Sequence, residues 1–511
     1  MSKMWKCFRF SALSTIFVLV HYKWTCSGFP ASCNNNAITS NHDDETVTAA
    51  SPGGEIRRIE TMLTDCMSAL PTRSPFEAED SSRISELIYS SMTTKGRVYH
   101  NVEHIFSVTK HLTDPIQILA ALFHDLIYLS LDKSLSDAQA EPLEGVLVPD
   151  QQVPKLEAQF TDPVVNTIVK LFGFTPGAEI PKTGGNEFMS AVLSVRTLSQ
   201  WLDSQHLIQI ATIIESTIPF RPDVEGKTAQ DYLYDRLALA CPDQSEEWWE
   251  TTIHKASAMT NCDLASFDTK DRDYFLDTTW MLIPEARPSI LSANCSMSEY
   301  LEEFHALERR TQFLFQRLPY IFKSFRHVPS EAEMEQKRRQ TYENLVVQSG
   351  YSKVRLLQIM ILVEFAQIME KDPETLPMRD FLQIGIPHVS EREQKTKTDS
   401  SLTGPQREIR DWLVSGRRTA FSWDPAASSL GAYLFDELGM TGINNAVDVG
   451  KSQKPGSHQL LKYLPENVVC AVAPQLDSFF EGSAECSLHI TERLGIHCSL
   501  PEQSCLHKED S

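Results

Sequence analysis

Apolar residues recur at three- and four-residue steps through most of the chain between residues 55 and 375, the spacing that gathers them on one face of a helix. Ile56, Ile59, Met62 and Leu63 open the pattern. A second helix is predicted over 82–92, bounded by Lys95-Gly96. A third is predicted from Tyr99 through Ile105, Val108 and Leu112, until Thr113-Asp114-Pro115 stops it and starts the next. That next stretch, 116–128, carries Leu119, Leu122, Phe123, Leu126 and Ile127, which marks it as buried. Pro142, Pro149 and Pro154 make 130–160 read as a long loop. Further helices are predicted at 162–172, 186–202, 205–217, 228–240, 245–264, 301–325, 331–348 and 353–370. Two-residue alternation is scarce before residue 390, so the expected fold class is all-α. A polar stretch around 389–405 reads as a linker, and the Gly-, Ser- and Pro-richer extension over 406–511 offers helical candidates at 405–415 and 428–438.

The first residues change the picture of where the folded part begins. Lys3, Lys6 and Arg9 precede an uncharged stretch over 10–22, too short to span a bilayer, where about 20 residues are wanted. With Cys26-Ser27-Gly28 behind it, this reads as a cleaved targeting leader over 1–30, and no stable membrane span is expected after its removal. Phe29-Pro30 resembles the aromatic-centred cleavage motif of bipartite plastid presequences. Entry into the secretory pathway with a plastid destination is the expectation, and secretion or an endomembrane lumen is the alternative. An Asn-, Thr- and Ser-rich linker over 31–53 follows, and the catalytic part is expected over 54–388.

Charge narrows the partners. Among 511 residues, 47 basic against 68 acidic side chains give a net charge of -21, which argues against a nucleic-acid polymer or an anionic membrane as the main partner. The 11 cysteines match no zinc module, and Cys470, Cys486, Cys498 and Cys505 read as disulfides or unrelated thiols. Oligomeric state is not encoded in any pattern visible here.

Two clusters carry chemistry. Tyr99-His100-Asn101-Val102-Glu103-His104 places two imidazoles four residues apart, on one face if the segment is helical. Phe123-His124-Asp125 sets a charge into the apolar 116–128 stretch, where an unpaired carboxylate is costly. A divalent metal would serve as its partner. The bland alternative for His124-Asp125 alone is a hydrogen-bonded pair at a helix contact. His111 fits a helix end, His305 and His327 fit solvated helix faces, Lys337-Arg338-Arg339 a solvated face and Trp248-Trp249 a core.

The block Arg97-Val-Tyr-His-Asn-Val-Glu-His104, followed by Ala121-Leu-Phe-His-Asp-Leu-Ile-Tyr128, resembles the HD superfamily of metal-dependent phosphohydrolases. The likeness is to the bacterial and algal members that share Tyr-His-Asn-x-x-His with cyclic-nucleotide phosphodiesterases. It continues at Ile213 to Arg221 and at Met259 to Phe267, covering roughly residues 55 to 375. It implies an HD/phosphodiesterase-like helical domain with His104, His124, Asp125 and Asp263 as metal ligands. Mn, Mg, Fe, Co, Ni or Zn would suit such a set. It further implies hydrolysis of a small phosphorylated substrate by a metal-activated water, with His100 protonating the leaving oxygen and Asp125 counted as catalytic as well as a ligand. The extra His and Glu that many members carry after His-Asp are absent, since Leu126-Ile127-Tyr128-Leu129 follows. His206 and His254 are the further imidazoles to weigh, and Arg221 fits either a substrate phosphate or an ion pair. Two rival readings remain: a nucleotide-binding or scaffold module without catalysis, and a di-iron HD-type oxygenase.

Overall fold

The computed structural model describes residues 52–149, 151, 153–386, 402–454, 456–476, 479, 489 and 492–496. The expected leader, the 31–51 part of the first linker and the 389–401 part of the second lie outside them. The molecule is built from helices; among the described residues the only β structure is isolated bridges such as Leu147 with Leu156. No helix among them is long and apolar enough to cross a membrane.

One hydrophobic core belongs to the first half. Helices α1 (Pro52–Ala69), α2 (Ala78–Met92), α3 (Val102–Thr109) and α4 (Pro115–Phe123) open it. Short turns of helix α5 (Leu129–Asp132) and α6 (Asp137–Ala140) follow, then α7 (Pro163–Phe172), α8 (Gly185–Leu198), α9 (Ser204–Ser216), α10 (Ala229–Ala240) and α11 (Glu246–Asp263). Helix α9 lies at the centre, packed on α4, α7, α8, α10 and α11. Its Ile210, Ile213 and Ile214 are fully buried beside Phe123, Phe188 and Met259. The helix starts follow local chemistry. Asp114 and Asp162 each accept two backbone N–H groups of the turn they begin, with proline at the first helical position.

A second core is shared by α12 (Arg272–Ala286), α13 (Met297–Arg317), α14 (Glu331–Ile368) and the later helices Gly404–Ser415, Ser429–Ser452 and Glu466–Leu476. The extension beyond residue 404 thus packs into the folded body. Ile409, Leu413, Leu434, Ile443 and Val472 join Leu357, Ile361 and Phe365 of α14. The separate helices predicted at 331–348 and 353–370 are one 38-residue helix. Gly350 sits at its middle because the Gly404–Ser415 helix crosses there, and a Cβ would run into Ile409 Cδ1. Packing against that neighbour outweighs the low helix propensity of glycine.

Local differences from the sequence reading have simple causes. The loop expected over 130–160 contains α5, α6 and a single 3₁₀ turn over Glu141–Leu143, since Ser136 forms a capping box with Gln139. The helix expected from Tyr99 starts at Val102, and the one expected over 116–128 ends at Phe123. Both changes bear directly on the histidine clusters.

Candidate metal centre

Asn101 decides the first cluster. Its side-chain oxygen accepts the His104 backbone N–H at 3.2 Å, and its amide donates to the Val98 carbonyl at 2.7 Å. It therefore caps α3 and sets His104 in the first turn, with the side chain buried. His100 precedes that cap, so it does not share a helical face with His104 as the four-residue spacing suggested. The two rings still meet, centroids 5.7 Å apart, because the turn folds His100 back.

The second cluster lies where α4 ends. His124 takes the C-cap position, and Asp125 lies in the turn beyond rather than inside a helix. His124 Nδ1 donates to the Ala121 carbonyl at 2.8 Å, which orients the ring and turns Nε2 inward toward Asp125 and Asp263. Asp263 closes α11 as its last residue.

These four side chains converge. His124 Nε2 lies 3.0 Å from Asp125 Oδ2 and 3.6 Å from Asp263 Oδ1. His104 Nε2 lies 3.5 Å from the first oxygen and 3.1 Å from the second. His104, His124 and Asp263 offer ligand atoms within 4.8 Å of one another. Neighbouring ligands of a six-coordinate ion with bonds of about 2.1 Å lie about 3.0 Å apart, close to the spacing seen here.

Electrostatics and hydrogen bonding both test the fit. Burial opposes charge on every member of the cluster, and mutual attraction outweighs it. Asp125 and Asp263 raise both imidazoles, His124 well above its ordinary value. His124 and His104 in turn hold Asp125 well below the carboxylate range and Asp263 down to about 2. Yet neither buried Nε2 makes a hydrogen bond, since the carboxylate oxygens lie out of line for N–H donation. Two buried nitrogens aimed between two carboxylates, and satisfied by neither, suit a divalent cation.

His100 is anchored from the other half of the molecule. Glu285, in the last turn of α12, takes His100 Nδ1 on Oε2 at 2.6 Å. Its Oε1 accepts the backbone N–H groups of Val98, Tyr99 and His100 at 2.8, 2.8 and 2.9 Å. A carboxylate only accepts, so His100 Nδ1 carries the proton and Nε2 is the free nitrogen. Burial pushes the Glu285 carboxyl up, but the bonds from His100 and these amides hold it below its usual range. Tyr128 closes over the ring at 4.9 Å between centroids, its hydroxyl pushed up to about 12 by burial and the charge on Asp125.

A buried ion pair joins the two clusters. Arg97 Nε and Nη2 grip Asp132 at 2.9 and 2.7 Å, while Nη1 donates to the Asp125 carbonyl at 2.6 Å. Asp132 also accepts from Thr94 Oγ1 and the Tyr128 N–H. The arginine thus ties the strand of chain before α3 to the turn holding Asp125.

Sequence reasoning named no role for Arg97 and Asp132, and it missed Glu285. Glu285 did leave a signal, a lone carboxylate in the apolar run Trp280-Met-Leu-Ile-Pro-Glu-Ala286. His206 and His254 stand apart from the cluster. His206 pairs with Asp203 at 3.0 Å, and His254 packs on Phe325. Arg221 pairs with Glu215 through both terminal nitrogens, at 2.5 and 3.0 Å. Lys337 bonds Asp268 and Arg338 bonds Glu331, each at 2.7 Å. His327 is exposed, in a loop rather than on a helix. Compared with protein-family models, with curated proteins and with solved structures, the chain matches none.

Proposed function

We propose that this chain is a metal-dependent phosphohydrolase related to the HD superfamily, acting on a small phosphorylated metabolite such as a nucleotide. The observation that carries the reading is the pair of buried, unbonded Nε2 atoms of His104 and His124 facing Asp125 and Asp263. These four residues would hold one divalent ion. Bound there, the ion would supply an acidified water and neutralise charge gathering on a phosphoryl oxygen.

The chain's own groups support the rest. His100, with Nδ1 fixed on Glu285, can keep a proton at Nε2 and release it to a leaving oxygen. Glu285 fixes the orientation of the ring through Nδ1. Tyr128 and Tyr99 wall the site, limiting water at the reacting atoms.

Elemental analysis of the purified full chain, with a phosphatase and phosphodiesterase screen of the metal-loaded protein, tests the reading. About one bound divalent metal per chain is expected, with turnover that falls by roughly 10²–10⁴ in His100→Gln at unchanged metal content. Metal below background after loading with Mn, Fe or Zn would sink it and leave a non-catalytic helical module. Iron-dependent oxygen uptake would point to the oxygenase reading instead.

A further inference from the structure

Lys323 is the one lysine buried among the described residues, only 4% exposed. Its ammonium meets a single partner, the Tyr320 carbonyl at 3.2 Å, and no carboxylate among the described residues lies within ion-pair distance. A buried ammonium with N–H donors unused and no counter-ion is costly. The position is nonetheless built: Lys323 N–H donates to Asn261 Oδ1 at 2.7 Å, and Asn261 Nδ2 donates to the Lys323 carbonyl at 2.8 Å. Asn261 belongs to the last turn of α11, two residues before Asp263.

Arg221 supplies the second cation. Glu215 occupies its terminal nitrogens, but its Nε–H is buried and bonds to nothing. Glu215 is fully buried and also serves Arg236, so one carboxylate answers two guanidiniums and leaves Lys323 unmatched. Asp223 nearby is exposed. Burial and the charge of Arg221 push the Lys323 ammonium down to about 8, and Glu215 and Asp223 only partly offset them. Phe220, the residue before Arg221, packs on the cluster of Leu264, Ile321 and Phe322, which brings Arg221 to the turn of Lys323 and to the residue that follows Asp263.

Resting on the phosphohydrolase reading, we propose that Lys323 and Arg221 form a second anion subsite, and that the substrate carries a second phosphate besides the one under attack. An ammonium without an ion-pair partner and an unused guanidinium N–H would receive that group.

The decisive experiment titrates inorganic phosphate into the full chain stripped of metal, by calorimetry, so that no ion can bind the anion instead. One phosphate per chain is expected, with affinity at least about tenfold weaker in Lys323→Met and in Arg221→Met. Lys323→Arg, which keeps the charge, is expected to retain binding, and circular dichroism checks that each variant folds. In the metal-loaded chain, Lys323→Met is expected to raise KM for an ester with a second phosphate about tenfold more than KM for its monophosphate counterpart. No phosphate uptake by the parent, or uptake indifferent to both variants, overturns the subsite. Absence of all turnover would instead strike the phosphohydrolase reading, and the metal-free titration would still decide the subsite on its own.

Discussion

Two carboxylate centres lie one in each core, one fully buried and one half-buried, and they are satisfied in opposite ways. In the second core Asp424 is 1% exposed. Its Oδ1 accepts from the Tyr300 hydroxyl at 2.9 Å and from Arg355, and its Oδ2 from Trp280 Nε1 at 2.8 Å and Arg417 at 2.6 Å. Four protein donors fill two oxygens. In the first core Asp125 and Asp263 face two imidazole nitrogens that donate to neither. The Asp424 oxygens are filled by protein donors, although Arg355 Nε and Arg417 Nε and Nη1 bond to nothing; the second arrangement could hold a cation. Burial of charge therefore says little about function; what sets the first core apart is two imidazoles and two carboxylates facing one another unbonded.

That contrast can be broken at either end. Asp125→Ala is expected to abolish metal retention outright, read by elemental analysis, while thermal unfolding of the metal-free protein shifts little. Asp424→Ala does the reverse. It leaves two buried guanidiniums without their carboxylate and should cost about 3–5 kcal/mol of stability, measured by denaturant unfolding. If Asp424→Ala instead removed metal at unchanged stability, the two centres would not be separable in this way.

Smaller effects sharpen it. Glu285→Gln keeps a hydrogen-bonding side chain but removes the charge behind His100. A fall in kcat of about tenfold is expected at unchanged metal content, checked by steady-state kinetics. Acid should expose the second centre. Burial pushes the Asp424 carboxyl up, but Arg355 and Arg417 hold it below the ordinary value. Its folded pKa is therefore depressed, so its stabilisation is present above about pH 4 and is lost as pH falls through that lowered value. Unfolding midpoints of the parent should fall over that interval, and those of Asp424→Asn should fall less.

Much of this was legible in the chain. Most helices of the first half lie within a few residues of their predicted bounds, because capping residues such as Asp114, Asp162, Asp203 and Ser245 mark their starts in sequence. His104, His124, Asp125 and Asp263 do come together. What the pattern missed was tertiary. Asn101 caps α3 and so expels His100 from the helix, an outcome that four-residue spacing alone does not reveal. Glu285 reaches His100 across the two cores, and nothing local to either residue announces the other. The fusion of two predicted helices into α14 depends on Ile409 lying against Gly350, a partner far along the chain.

The anchoring of His100 by α12 has a consequence for biogenesis. All four side chains of the candidate metal centre have left the ribosome once Asp263 has, but Glu285 follows them, on a helix whose Trp280 packs on Phe304 and Tyr351 and bonds Asp424. Domains generally fold as units during synthesis, the N-terminal part first. On the proposed function, metal capture is therefore expected to come first, on a nascent chain in which His100 still lacks Glu285. Chains truncated shortly after residue 270 and released from the ribosome offer the check: they should already retain metal, and chains ending before Asp263 should not.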